Sequence, residues 1–372
     1  MKKQVGITGQ PGFIGGHLYH FLRHKKDEYE MVPFEDRFFD DEGLLDNFTG
    51  RCDVIVHLAA MNRHPDQRVI YDTNIRLVRQ LIQSLERNNK NPQVLFSSST
   101  QEERDNPYGK SKFEGRKLLQ DWSVRQQAKF TGLVIPNVFG PFCRPFYNSV
   151  IATFCHQLTH GQEPVIDVDA SLRYIYINDL VEEIHRHISA GSSLPLHQVQ
   201  ESGQYRVSDI LRILTYFKSE YLESGIIPIL NNPFELALFN TFRTCIEPGH
   251  YPFKFKVNAD NRGYLFENLK THTMGQAFFS LTKPGITRGN HFHRRKIERF
   301  CVVRGQALIR LRQIGTDRII EYRVSGEEPA AIDMPVFHTH NITNTGQDDL
   351  LTLFWTNEFF NPDNSDTFFE EV

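Results

Sequence analysis

Gln4-Val-Gly-Ile-Thr-Gly9-Gln10-Pro-Gly12-Phe13-Ile14-Gly15-Gly16 is the stretch on which the fold of the first half turns. Gln4–Thr8 is a short apolar run of strand type, and Gly15–His24 opens a helical pattern. Between them Gly9, Gln10, Gly12, Phe13, Ile14 and Gly15 make a glycine-rich turn. Glycines here permit a tight turn and a close backbone approach to a pyrophosphate. The helix that follows would offer that anion its unpaired N–H groups and positive dipole end. A glycine turn alone is most often only a turn, but a strand before it and a helix after it point to a nucleotide site.

Working outward, Asp53–Leu58 reads as a second apolar strand. A long helical pattern follows through Val78, Leu81, Ile82 and Leu85, spaced as one helix face. Val94–Ser97 and Leu133–Ile135 read as further strands, with Glu114–Gln126 as a helix. Strands alternating with helices of this length imply an α/β, Rossmann-like doubly wound parallel sheet. Beyond Glu247-Pro-Gly-His-Tyr-Pro-Phe253, which reads as a linker, the texture changes. Gln276–Leu281, Glu298–Arg304, Ala307–Arg312, Ile319–Val324 and Leu350–Trp355 are short strands divided by Gly, Pro and Asn, the pattern of an all-β sandwich or barrel. The expected domains are residues 1–246 and 254–372.

A chain of 372 residues can bury two cores. The net charge of -3, with no basic tract interleaved with aromatics, speaks against nucleic acid as a partner. No run approaches the roughly 18 apolar residues of a membrane helix, so no membrane insertion is expected. Five scattered cysteines without a CxxC pair favour free thiols in a reducing compartment, and the cytoplasm is the expected location.

About 20 residues beyond the glycine turn, Phe34-Glu35-Asp36-Arg37 offers both an acid suited to an adenosine 2′-hydroxyl and an arginine suited to a 2′-phosphate. NAD and NADP both stay open at this point. Tyr108-Gly-Lys-Ser-Lys112 puts a tyrosine and a lysine one helical turn apart on one face. A tyrosine that cycles its proton near pH 7 must have its phenolate stabilised by about 4 kcal/mol, and a neighbouring ammonium with a nicotinamide ring can supply this. Phe96-Ser97-Ser98-Ser99-Thr100 ends a strand where a hydroxyl could meet a substrate carbonyl. This set resembles the extended short-chain dehydrogenases. The resemblance implies Ser99 as the hydroxyl, with Thr100 as its fallback, Tyr108 as acid/base and Lys112 as its partner. It also implies Leu58, Ala59 and Ala60 beside the cofactor, and Asn62, Ser98, Asn137 and Arg173 at the substrate. Arg173 would suit a diphosphate, which a guanidinium can meet bidentately. The nine-residue interval from Ser99 to Tyr108 is shorter than is usual in that family.

In the second half, His291 and His293 share one face of a strand because the side-chain period is two, and Glu298 on the next strand can close onto them. Pro335-Val-Phe-His338-Thr-His340-Asn-Ile-Thr-Asn344 supplies a further imidazole. Three imidazoles and a carboxylate suit a divalent transition metal, zinc first. These segments resemble the two cupin motifs, which implies His291, His293, Glu298 and His340 as ligands and His338 as a spare imidazole. The second motif departs in two ways: Phe337 stands where glycine is typical, and the run from Gly326 to Pro335 is long.

With Asn106-Pro-Tyr-Gly-Lys, Tyr147–Cys155, Lys283-Pro-Gly-Ile-Thr and Gly289-Asn-His, the whole chain resembles CapF-type capsular polysaccharide synthesis enzymes. That resemblance implies a metal-binding C-terminal cupin barrel that inverts C3 of a UDP-2-acetamido-2,6-dideoxy-4-hexulose. It implies a reductase domain that then reduces C4 with NADPH, Arg37 serving the 2′-phosphate, to a UDP-2-acetamido-2,6-dideoxy-L-talose. A UDP-amino-sugar substrate and a homodimer are further implications. The alternative is a single-function nucleotide-sugar epimerase, dehydratase or reductase with a non-catalytic cupin module.

Overall fold

The computed structural model describes residues 2–254, 258–260, 263–265, 271, 276–358 and 361–372. The chain forms two compact units. The first comprises Met1–Phe139, Cys143–Val150 and Ala170–Tyr205, and the second Gly140–Phe142, Ile151–Asp169 and Arg206–Val372.

In the first unit β1 (Lys3–Thr8), α1 (Phe13–Arg23), β2 (Tyr29–Val32), α2 (Glu42–Arg51), β3 (Val54–His57), α3 (Gln67–Arg87), β4 (Gln93–Ser99), α4 (Pro107–Gln126) and β5 (Phe130–Ile135) alternate along the chain. β6 (Asn137–Phe139), α5 (Val150–Thr159), β7 (Ser171–Tyr176), α6 (Ile177–Ala190), β8 (Leu194–Gln198) and β9 (Gly203–Arg206) follow, α5 belonging almost wholly to the second unit. The main sheet has the order β2-β1-β3-β4-β5-β8 with every pair parallel, while β6, β7 and β9 make a small separate sheet. Val54–His57 is buried on both faces, as expected of a strand covered by helices on both sides. The strand order reverses between β1 and β3, and ligands of such sheets bind outside the carboxyl ends of the strands at that point.

α4 begins seven residues before the Glu114 start read from the apolar pattern. The reason is local. The Asn106 side chain accepts the Gly109 N–H at 2.7 Å, and Pro107 occupies the first helical position, where its missing donor does no harm. Tyr108 and Lys112 therefore both lie on the helix proper.

The second unit adds α7 (Val207–Phe217) and α8 (Pro233–Arg243), then a run of strands. These are β10 (Phe253–Lys254), β11 (Asn258–Asp260), β12 (Gly263–Leu265), β13 (Gln276–Thr282), β14 (Thr287–Phe292), β15 (Glu298–Arg304), β16 (Gln306–Gln313), β17 (Ile319–Ser325), β18 (Ala330–Met334), β19 (His338–Asn344), β20 (Leu350–Thr356) and β21 (Phe368–Phe369). Two antiparallel five-stranded sheets result, β10-β18-β15-β20-β13 and β17-β16-β19-β14-β21. Phe300, Ile309, Ile332, Ile342 and Phe354 fill a shared apolar core. The long run from Gly326 to Pro335 contains β18, which pairs with β15 and β10, so its extra length is a strand rather than a loop.

Candidate functional site

At the end of β1, Gly9 has a φ of +71°, and a Cβ there would lie 2.8 Å from the Ala59 nitrogen. A Cβ on Gly15 would lie 2.3 Å from the Gly9 carbonyl oxygen, so the turn closes only with glycine at both positions. The Gly12 N–H donates to the Gly9 carbonyl at 3.0 Å. Gly12 caps α1 without any side-chain hydrogen bond, which leaves the helix start open to an anion. The Thr8 hydroxyl accepts the Ala59 N–H at 3.2 Å and meets His57 Nδ1 at 2.7 Å, tying Leu58–Ala60 to the turn. Burial first, and then the Lys112 charge, push His57 down to about 3, so it is a neutral structural ring. Gln10, Phe13 and Ile14 complete the turn. Arg37 is exposed and pairs with Glu35 at 2.8 Å.

Lys112 is buried against the end of β4. Its Nζ donates to the Ser97 carbonyl at 2.7 Å and lies 5.8 Å from the centre of the Tyr108 ring. Burial pulls this ammonium down to about 8, against the opposing pull of Glu102. Burial, with the neighbouring Tyr147, pushes the Tyr108 phenol up to about 12. Ser97 and Ser99 share one face of β4 by the period of two. The Ser99 Oγ accepts the Gln101 N–H at 3.2 Å, and the Ser98 hydroxyl donates to Glu102. The structure thus gathers Tyr108, Lys112 and the Ser97/Ser99 face, and aims the Ser98 side chain at a buried carboxylate.

The short interval between Ser99 and Tyr108 folds as a single 3-10 turn, Thr100–Glu103, pressed onto α4. A Cβ on Gly109 would come within 2.0 Å of the Gln101 carbonyl oxygen, so glycine beside Tyr108 is what lets the loop pack. Asn74 is a residue that the sequence reading passed over. Its amide accepts the Met61 N–H at 2.7 Å and donates to the Met61 carbonyl at 2.9 Å and to the Ser111 hydroxyl at 2.9 Å. Ser111 in turn donates to the Tyr108 carbonyl at 2.7 Å. Asn74 so joins the strand-end segment after β3 to the helix that carries Tyr108. The available signal was a polar residue inside the apolar stripe of α3.

Of the residues expected at a substrate, Asn62, Asn137 and Arg173 are exposed. The Asn137 amide donates to the Arg173 carbonyl at 2.9 Å across the β6–β7 pair. The Arg173 guanidinium forms no ion pair among the described residues.

In the second unit His291, His293, Glu298 and His340 converge, their ligand atoms all within 4.8 Å of one another. A β-bulge makes this possible. Gly289 stands opposite Asn341 but His291 stands opposite His340, so Asn290 is the extra residue. Gly289 and Asn290 take φ values of 105° and 58°, which glycine and asparagine tolerate best. Regular pairing would have set Asn290 opposite His340. Glu298, at the start of β15, reaches the cluster from the other sheet.

His293 Nδ1 lies 2.6 Å from the Asp366 carbonyl and His340 Nδ1 lies 3.1 Å from the His338 carbonyl. A carbonyl accepts only from N–H, so both rings carry a proton on Nδ1 and turn Nε2 inward. Those two atoms lie 3.1 and 3.2 Å from Glu298 Oε2. His293 Nε2 is hydrogen-bonded to it, which against the effect of burial raises the His293 pKa, whereas His340 Nε2 makes no hydrogen bond. Ring nitrogens and a carboxylate oxygen converging under burial need a cation or shared protons between them. Burial, then its neighbouring imidazoles, drives His291 down to about 4, leaving it neutral at pH 7 as a ligand must be. Burial works against the Glu298 charge, but His293 and His340 hold its carboxyl well below the usual range. Phe337, where glycine had been expected, takes a φ of 56°. The left-handed backbone is thus kept and the side chain is accommodated by a stacked Phe292 and an edge-on Phe142. The His338 Nδ1–H donates to the Val336 carbonyl, 3.1 Å away, and burial pushes its pKa down to about 4.

Glu183, His187 and His197 form a second group, but there His197 lies at hydrogen-bond distance, 2.6 Å, and Arg186 holds the same carboxylate. This is an ion-pair network.

Residues 5–197 match the profile of the NAD dependent epimerase/dehydratase family, and residues 258–368 match the polysaccharide biosynthesis C-terminal domain. The chain is 31% identical over 367 residues to UDP-2-acetamido-2,6-beta-L-arabino-hexul-4-ose reductase of Pseudomonas aeruginosa, covering 98% of each. It is similar to the crystal structure of the capsular polysaccharide assembling protein CapF from Staphylococcus aureus, with 35% identity, 99% and 100% coverage and a TM-score of 0.63. A likeness in fold extends to RMD from Pseudomonas aeruginosa, solved with NADPH, at 20% identity, 59% and 83% coverage and a TM-score of 0.53.

Proposed function

The chain belongs to the CapF-type family of capsular polysaccharide enzymes, and we propose that it is a bifunctional enzyme of UDP-amino-sugar synthesis. Its substrate is a UDP-2-acetamido-2,6-dideoxy-4-hexulose. Residues 1–246 serve as an NADPH-dependent reductase, and residues 254–372 as a metal-binding cupin barrel that epimerises C3. The observation that carries this reading is the presence in one chain of two chemically distinct sites, the Tyr108/Lys112 pair and the convergent imidazole–carboxylate cluster.

The glycine turn fits a dinucleotide pyrophosphate, because Gly12 opens α1 with no side-chain cap over its first N–H groups. Arg37, already exposed, receives the 2′-phosphate. When bound, NADPH supplies the hydride for C4. Tyr108 gives its proton to the C4 oxygen as charge develops there. Its raised pKa suits an acid, and the Lys112 ammonium beside it stabilises the phenolate left behind. Ser99 hydrogen-bonds the carbonyl, the exposed Asn62 contributes to the sugar site, and Arg173 with Asn137 holds the diphosphate end, whereas the Ser98 hydroxyl is engaged by Glu102 and is not counted with them.

His291, His293, His340 and Glu298 would hold a divalent metal, zinc as first choice; the buried His340 Nε2 without a hydrogen bond, facing the Glu298 carboxylate within this cluster, is the structural reason. When bound, the metal supplies Lewis-acid stabilisation to an oxyanion. The C4 ketone acidifies the C3 proton, so a base can remove it and an acid return it to the opposite face. Subsequent reduction at C4 removes the acidifying ketone and fixes the new configuration, yielding a UDP-2-acetamido-2,6-dideoxy-L-talose. A homodimer in the cytoplasm completes the reading, and no described helix is long and apolar enough to cross a membrane.

The test is product analysis by NMR with the 4-keto UDP-sugar. With NADPH the product should carry an inverted C3 and a C4 hydroxyl. A C4 alcohol with the original C3 would leave the single-function reductase in its place.

A further inference from the structure

We propose that the buried Glu102–Arg116 ion pair is a positioning element that sets the charge of Lys112 for the reduction. The inference rests on the reductase reading above. Arg116 grips Glu102 with both ends of its guanidinium, Nε to Oε1 at 2.8 Å and a terminal nitrogen to Oε2 at 2.7 Å. The two side chains are only 6% and 8% exposed. A buried pair of this kind adds little stability over apolar residues of the same volume, because desolvation offsets the attraction. A role beyond stability is therefore called for, and its surroundings indicate one.

Arg116 stands one helical turn beyond Lys112 on α4. Its stem is seated against β5 where Gly132 lacks a side chain, a Cβ there falling 2.6 Å from Arg116 Cδ. Glu102 accepts the hydroxyl of Ser98, and the next residue back, Ser97, holds Lys112 Nζ. Two consecutive serines of β4 thus hold the carboxylate and the ammonium. The brevity of the Ser99–Tyr108 loop is what brings this about: one 3-10 turn returns Glu102 to the strand it has just left. The Glu102 charge acts to keep Lys112 protonated against burial. Arg116 limits that effect while fixing the carboxylate in place.

The two partners carry opposite charges, so removing one should move Lys112 in the opposite direction to removing the other. In protein labelled with carbon-13 lysine, the Lys112 Cε resonance, assigned through Lys112→Met, is followed against pH in the full chain. Glu102→Gln should lower the titration midpoint by about one pH unit, the size expected of one nearby charge, and Arg116→Met should raise it. Folding of each variant is checked by circular dichroism, and either shift alone tests the claim because the signs differ. The alkaline limb of the NADPH-dependent rate should move with the midpoint. Midpoints that stay put, or that move in the same direction in both variants, overturn the proposal. A chain without reductase activity would remove the functional reading, while the resonance would still report whether Glu102 and Arg116 govern Lys112.

Discussion

Lys112 is only 3% exposed, and its burial has a consequence for stability that can be worked through. Its pKa falls from an ordinary 10.5 to about 8 in the folded chain. At 1.36 kcal/mol per pH unit, that difference disfavours folding by about 3 kcal/mol wherever both states are protonated. The sign follows from linkage. Between about pH 8 and 10.5 the unfolded chain binds the proton and the folded chain does not, so stability rises with pH there and the handicap vanishes above that window. Lys112→Met removes the handicap but also the hydrogen bond to Ser97, an offset of about 1 kcal/mol. The net expectation at pH 7 is a gain of about 2 kcal/mol, or roughly 4–8 °C in the melting of a unit this size. Reduction should be lost at the same time, as expected where a strained or costly group serves the reaction. Thermal unfolding followed by circular dichroism at pH 7 and pH 9.5 reads this directly. A lower melting temperature for Lys112→Met at pH 7, or a gain that does not shrink at pH 9.5, would refute the reasoning.

Other outcomes follow from the same geometry. His340→Ala should strip the chain of stoichiometric metal, measured by mass spectrometry of the purified protein; unchanged content would contradict the ligand set. Phe337→Gly trades a left-handed strain of about 1–2 kcal/mol for a buried aromatic worth about 3–5 kcal/mol, so it should destabilise by about 2 kcal/mol in thermal melts. A more stable variant would mean that strain dominates. Arg173→Ala should raise KM for the UDP-sugar roughly tenfold with kcat little changed, since it removes a binding contact distant from hydride transfer; an unaltered KM would place the diphosphate elsewhere.

Much of the first unit was legible because its signals are local. A glycine turn between strand and helix needs no distant partner to be understood, and the Tyr108/Lys112 spacing is a property of one helix turn. The four-residue imidazole–carboxylate set was legible for a similar reason, since strand periodicity puts His291 and His293 on one face. What escaped depends on contacts between distant segments. The bulge at Asn290 is visible only against β19, and the β18 strand only against β15. Asn74 reads as a lapse in an apolar stripe until its three hydrogen bonds to Met61 and Ser111 are present. Ser98 and Ser99 are adjacent and chemically alike, and only the return of Glu102 separates their surroundings. Phe337 shows the converse: the sequence departed from the glycine pattern while the backbone conformation that glycine would serve was retained.

The central claim, two chemistries acting in turn on one ketone, is tested most directly by solvent deuterium exchange in the absence of NADPH. The 4-keto UDP-sugar is incubated in deuterated water with the intact protein, with Tyr108→Phe and with His340→Ala, and deuterium at C3 is read by NMR. Exchange is expected with the intact protein and with Tyr108→Phe, and it should be lost with His340→Ala. No exchange at C3 with the intact protein would contradict the claim, and so would its loss in Tyr108→Phe.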